Sequence, residues 1–452
     1  MSKVRRMLRL TPAFLAATAR REWPLAVLAL ISLAPGVAAL MAWLQLAWRV
    51  QVGPVDPSRP GWLLPPWLMD ALTPAGVLVG CGLVTLLVGC LGLSNAYLAS
   101  VERRLGDLAL LLNLGLTRRE LVGLLLMEAF GLAALGTGAG LALGAILSVV
   151  SWLPARVYLG LPPGFVMAVE PIWIASLAGM LAAVLFVGVT GVVTGLRPTL
   201  LGLRSPQRRH WMRDWGHWRF STLGILFTGV LTAVVGLSLL PLRSAAALTL
   251  LALALALVLN LGSWTLTRFY WRLPLPDGSP LWALAVQGLA RHRRQTAGMT
   301  LAMTAGAMGV GLAALGSVGQ VQRAVFPVWV AAVLLAACAT LVLTTAALAA
   351  LERRQELGLL GALGARPGRV RRLILLEYGI VAVGGGSLGA ALALAAWWLS
   401  GLGERWLLGL AVAVVDVVAA VVTAWLGALP VLWLIARQPP GESLNDRPFF
   451  LW

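Results

Sequence analysis

Charge is the scarcest property of this chain. Of its 452 residues, 12% are charged and 60% apolar, against roughly 25% charged in ordinary soluble domains. Lysine occurs once, as Lys3. A phosphate-cradling loop of the form G-x-x-x-x-G-K-[ST] needs a lysine behind its glycines, so nucleotide hydrolysis by this chain is not expected. Cysteine is almost as rare. Cys81, Cys90 and Cys338 all fall inside apolar runs, which excludes a disulfide framework and reads as inert buried thiols. His210 and His217 lie seven apart in the Arg- and Trp-rich stretch 197–220, but no third ligand type accompanies them. They are read as interfacial anchors beside anionic lipid headgroups rather than a metal pair. No catalytic, cofactor or metal site is expected.

What is abundant is long apolar runs, reflected in a mean hydropathy of +0.88. Only a helix can carry so many backbone groups through lipid unaided, and about 20 residues span a bilayer. Ten runs qualify: 24–48, 74–98, 121–150, 171–196, 221–240, 244–267, 296–318, 326–350, 373–400 and 406–435. The expectation is an all-α polytopic membrane protein.

The net charge of +18 would suggest nucleic acid in a soluble chain, but its distribution points elsewhere. Ten spans place 29 of the 35 Lys and Arg residues in the terminal and loop segments on one side. By the positive-inside rule that side is cytoplasmic, with both termini. The basic balance is therefore topological, and no nucleic-acid partner is expected. The basic N-terminal stretch precedes a run too long for a signal peptide and reads as a surface helix leading into an uncleaved span.

The sequence is written twice at its polar centre. Glu352–Glu377 (ERRQELGLLGALGARPGRVRRLILLE) is matched 249 positions earlier by RRLGDLALLLNLGLTRRELVGLLLME from Arg103 to Glu128. Asp107 answers Glu356, Gly115 answers Gly364 and Glu128 answers Glu377; Gly136 and Gly140 answer Gly385 and Gly389. One offset over nearly forty residues points to duplication. Both copies must face the same side, so the chain is expected to be two parallel four-span repeats joined by a two-span linker, a 4+2+4 plan. The boundaries read as 1–206 for the first unit, 207–281 for the linker, 282–444 for the second unit and 445–452 for a cytoplasmic tail.

Within each copy, leucines recur at helical spacing (Leu108, Leu111, Leu114; Leu357, Leu360, Leu363) up to the glycine. They describe short amphipathic helices over about 104–115 and 353–364, shaped to enter a partner's groove. Three acids fall inside spans, where an ionisable group is a functional candidate. Glu128 and Glu377 are expected to pair with nearby arginines. Asp416 has no twin, since its counterpart is Met167, and could bind a cation, move a proton or clamp helices. Gly136, Gly140, Gly385 and Gly389 read as close helix contacts.

The pattern E-R-R-x-E-L-x-L-L-x-A-L-G from Glu352, followed by R-L-x-L-L-E to Glu377, resembles the signature of FtsX-like permeases, the membrane subunits of MacB-type ABC transporters. ARHRRQTAGMTLAM (290–303) resembles the approach to the family's first span, and PVLWLIARQPPGESL (430–444) its closing tail. The likeness is strongest over 282–444 and weaker over 1–206. The two-span insertion is like that of ten-span members such as the bacitracin-exporter permeases.

The resemblance implies that the two short helices are coupling helices docking on separate cytoplasmic ABC ATPases, two per chain. Its implied contacts are Arg104, Asp107, Leu111, Gly115, Arg353, Arg354, Glu356, Leu360 and Gly364, with ATP and Mg held by the partner. It also implies a bacterial inner membrane, membrane lipids as neighbours and ATP-driven export or membrane extraction of a lipophilic or amphipathic substrate. The first copy departs from the pattern where Thr117–Glu120 replaces Arg366–Arg369. The large outer domain usual in the family has no counterpart. Two alternatives stand beside transport by ATP: a non-transporting member that signals to another membrane protein, and a secondary transporter using Asp416.

Overall fold

A computed structural model describes residues 2–52, 73–113, 115–161, 163–195, 225–270, 280–291, 293–317, 325–352, 367–399 and 406–437, with most of the side chains from residue 23 onward. These residues form helices and no strand. In the first unit they are α1 (Ser2–Val52), α2 (Pro74–Arg103), α3 (Leu105–Asn113), α4 (Arg118–Leu159) and α5 (Val169–Gly195). Then come α6 (Ile225–Leu239) and α7 (Leu242–Tyr270). The second unit holds α8 (Pro280–Arg291), α9 (Arg293–Ser317), α10 (Val325–Glu352), α11 (Pro367–Leu399) and α12 (Trp406–Arg437). The chain is an all-α, multi-pass membrane protein.

Nine helices among the described residues are long and apolar enough to cross a bilayer. The fifth of the ten expected spans, 221–240, is described as a helix only over the 15 residues Ile225–Leu239. That length covers about 22 Å of a hydrocarbon core about 30 Å thick. The third span is longer than its apolar run suggested. It begins at a capping box, in which the Thr117 N–H donates to Glu120 Oε2 (2.8 Å) and the Glu120 N–H to Thr117 Oγ1. It continues through Pro154 to Gly160, whose left-handed backbone (φ 67°) closes the helix on the Arg156 carbonyl.

Each unit is bound by the same crossing. Apolar contact drives little in lipid, so helices associate where small residues let backbones meet. Against α1, the α4 glycines have no space for a side chain: a Cβ on Gly136 would lie 2.7 Å from Leu33, one on Gly140 2.9 Å from the Ala34 carbonyl, and one on Gly144 2.9 Å from Met41 Sδ. In the second unit α11 meets α9 likewise, Gly385 against Met303 and the Thr300 carbonyl, Gly389 against the Thr304 carbonyl and Ala307. Leu33, Ala34 and Val37 thus correspond to Met303, Thr304 and Ala307, an offset of 270, while the later helices repeat at 249. The extra 21 residues fall between the first two spans, where the first unit's loop is the longer. In both units the first span also packs on the second, the third on the fourth and the second on the fourth.

The units meet mainly through α10, which lies against α1, α2 and α4. Phe326 stacks edge-on to Trp43 and beside Tyr158, and Trp329 Nε1 donates to Ser151 Oγ at 2.9 Å. The α6–α7 hairpin turns at Pro241 and is tied to α1 by Gln51 Nε2 donating to the Leu239 carbonyl. From there α7 packs across α9, α11 and α2. A leucine at Gly389 or Gly140 is expected to force α11 from α9 or α4 from α1, destabilising the protein by about 1–3 kcal/mol or more. Gly138→Leu, where nothing lies within 4 Å of the added carbon, is expected to leave the Tm of the detergent-purified protein unchanged while the other two lower it.

Candidate functional site: the helix between spans two and three

The chain leaves α2 at Arg103, turns once and re-forms as α3, nine residues long. Its end is fixed by Gly115 at φ 97°. The Gly115 N–H donates to the Leu112 carbonyl and the Leu116 N–H to the Leu111 carbonyl, closing the last turn in the paired pattern that a left-handed residue permits. The amphipathic spacing settles which side faces the bundle. Leu108 is buried and Leu111 packs half-buried on the core, whereas Arg103, Asp107, Leu110 and Asn113 are exposed. Thr117, Arg118 and Arg119 extend that exposed surface beyond the turn.

Arg104, expected among the outward contacts, is turned inward and buried. Its guanidinium makes a two-pronged pair with Glu128, Nη2 to Oε1 at 2.7 Å and Nη1 to Oε2 at 3.2 Å. It also donates to the Ser100 carbonyl and hydroxyl. One turn earlier on α2, Tyr97 donates its hydroxyl to the Leu125 carbonyl at 2.9 Å. The reason is electrostatic: Glu128, ten residues into α4, would be costly without a cation, and Arg104 is placed to reach it. Glu128 therefore pairs with an arginine as its sequence position suggested. This ties the root of α3 to α4.

The second copy's Arg353, Arg354, Glu356, Leu360 and Gly364 lie outside the described residues. Its glutamate, Glu377, is buried on α11 and engaged in polar contact. Gly136, Gly140, Gly385 and Gly389 sit at the helix crossings already described. Asp416 stands apart. It is wholly buried on α12, and neither carboxylate oxygen has a hydrogen-bond partner.

Some features escaped the sequence reading. The departure at Thr117–Glu120 is the capping box that starts α4, a T-x-x-E signal that was legible. Gln45, in mid-helix on α1, clasps the backbone of Ala168 in both directions, donating at 2.7 Å and accepting at 3.0 Å. No local pattern announces a contact across 123 residues.

An all-helical multi-pass bundle with an internally repeated crossing, and a short helix held between two spans, defines a duplicated polytopic membrane protein. A family model for the FtsX-like permease C-terminal domain matches twice, over residues 79–193 and 328–440. The second match begins 249 residues after the first, the offset at which the sequence repeats. The chain belongs to the FtsX-like permease family, the membrane components of ABC transporters, and membership implies an ABC ATPase partner. No curated protein and no solved structure matches it.

Replacing Arg104 by alanine leaves Glu128 unpaired and is expected to destabilise the fold by about 3 kcal/mol. Replacing both residues is expected to cost clearly less than the sum of the single changes. A double-mutant cycle from denaturant unfolding of the purified protein measures this, and additive losses would disprove the pairing energy.

Proposed function

We propose that the chain is the transmembrane subunit of an ATP-driven pump in a bacterial inner membrane, with both termini cytoplasmic. Two ATPase subunits would dock per chain, one at α3 and one at segment 353–364. The observation that carries this reading is the two-sided build of α3. One side is held to the bundle by Leu108 and by the Arg104–Glu128 tie at its root, while the other presents Arg103, Asp107, Leu110 and Asn113 outward. A helix fixed on one side and apolar and charged on the other suits a groove in a partner.

The tie supplies the mechanics. Closure of the ATPases would press on α3, and the rigid pair would pass that displacement to α4 instead of bending the turn. Because α4 meets α1 at three glycines with no slack, α1 would move with it. Motion at the cytoplasmic face thereby reaches the far ends of the spans. The cargo is lipophilic or amphipathic, exported or drawn from the membrane. Its path would run along the helices, since the family's usual large outer domain has no counterpart in the sequence.

Affinity purification of the full chain in mild detergent is expected to bring down an ATPase. Asp107→Arg combined with Leu110→Asp, both away from the core, is expected to cut its recovery about tenfold, the scale of one lost charged contact or one buried leucine. Unchanged recovery would rule out docking at α3.

A further inference from the structure

Asp416 lies ten residues, about 15 Å, along α12 from Trp406, and the residues beside it, Gly311 and Ala393, lie six residues from the ends of α9 and α11. Its carboxylate faces a crevice walled by Gly311 of α9, Ala390, Ala393 and Trp397 of α11 and Gly409 of α12. Among the described residues no ionisable side chain other than Asp416 lines this crevice. The titratable groups on the helices packed against it are remote along their own axes. Glu377 and Tyr378 of α11 lie thirteen and twelve residues from Ala390, and Cys338 of α10 is spent on the Ala302 carbonyl. Arg293 and Arg294 open α9 well over ten residues before Gly311.

The space for the acid is built. A Cβ on residue 311 would sit 2.6 Å from Asp416 Oδ2 and 2.3 Å from the Ala393 methyl, so only glycine admits the carboxylate there. The first unit shows that the crossing itself does not require an acid. At the offsets that relate the units, Gly311, Ala393 and Asp416 correspond to Met41, Gly144 and Met167, and the Met41 side chain packs against Gly144. Where the first unit fills the crossing with methionine, the second has removed the side chain and introduced an unpaired carboxylate. Burying such a group costs free energy unless something pairs with it, and among the described residues nothing hydrogen-bonds to either carboxylate oxygen.

The partner's chemistry follows from the walls. A single carboxylate among hydrocarbon cannot supply the six or more oxygens that Ca2+ or Mg2+ takes, nor the four ligands of Zn2+. It can pair with one ammonium group, and the Trp397 indole beside it favours an organic cation. The apolar lining favours a hydrocarbon body behind that charge. We propose that Asp416 recognises the cationic head of an alkylammonium amphiphile, which pairs with the carboxylate when α12 parts from α9 at Gly311. In the present conformation the crevice is closed to a molecule even of water's size. This rests on the reading of the chain as a permease for amphipathic cargo and specifies that cargo's charge.

The test uses the full chain in phosphatidylcholine nanodiscs, without ATPase, and the membrane-soluble reagent dicyclohexylcarbodiimide, with modification mapped by peptide mass spectrometry. Dodecylamine is expected to slow modification of Asp416 about tenfold at saturation while Glu377 reacts at its unaltered rate, and dodecanol is expected to have no effect. Dodecylamine is also expected to raise the Tm of the wild-type chain and not that of Asp416→Asn. Absence of modification at Asp416, equal rates with and without amine, or equal protection by dodecanol would each overturn the proposal. An unprotected Asp416 in a chain that still recovers its ATPase removes the cation site alone. A protected Asp416 in a chain that recovers none removes the docking reading alone.

Discussion

Close approach of backbones at glycine is the constraint on which this molecule depends. Once the helices are in lipid, burying a leucine against another helix gains little over leaving it among acyl chains. Specific packing must then come from places where two helix axes come nearer than ordinary side chains permit. Gly136, Gly140 and Gly144 on α4, and Gly385 and Gly389 on α11, are such places, each facing a carbonyl or Cβ of the first span of its own unit. Gly36 and Gly89 do the same between α1 and α2, where a Cβ on either would lie 3.4 Å from the α-carbon of the other and Ser32 donates to the Gly89 carbonyl. The first span of each unit is thus gripped by glycine contacts from its partners, and the polar site inherits its position from that grip.

The contact geometry also explains why a local change at α3 can matter far away. The helix is short, and a short helix on a flexible hinge would transmit nothing. Here both ends are fixed by different means, the start by the Arg104–Glu128 pair and the end by the left-handed Gly115. The capping box at Thr117 then starts α4 without slack. The start of α3, its end and the start of α4 are thus each held by a separate contact, which under the proposed docking would favour passing a push into α4.

Much of this is legible in the sequence. Apolar runs of bilayer length require helices because lipid offers the backbone no partner, and nine of the ten appear at span length. Duplication was visible because the acids and glycines of a polar loop keep their register, and the family matches fall at that same offset. Arg104 was misjudged, because one-dimensional spacing places it beside Asp107 without showing that the chain turns between them and swings the guanidinium toward α4. The α1–α9 correspondence was hidden because the loop after the first span differs by 21 residues, so no single offset aligns the first helices. Contact across a bundle joins residues whose separation carries no period, and only the fold reveals the Met41–Gly311 exchange.

The two halves share a crossing but not its contents, and a strict two-fold machine would have no reason to differ there. The first unit seals its crossing with Met41 and braces the start of its fourth span with Gln45 on Ala168 and Arg49 on the Val166 carbonyl. The second has glycine and a bare carboxylate at the matching depth. The linker adds to this asymmetry, since α7 covers α9 and α11 of the second unit and reaches the first through α2. The first unit is therefore braced by described contacts at this depth, whereas the α9–α12 contact of the second encloses a carboxyl group with no hydrogen-bond partner. An unpaired buried carboxylate weakens the contact that encloses it. The crossing at Gly311 thus contains a polar group without a partner where the crossing at Met41 is filled by an apolar side chain, so the two units are not equivalent within the membrane.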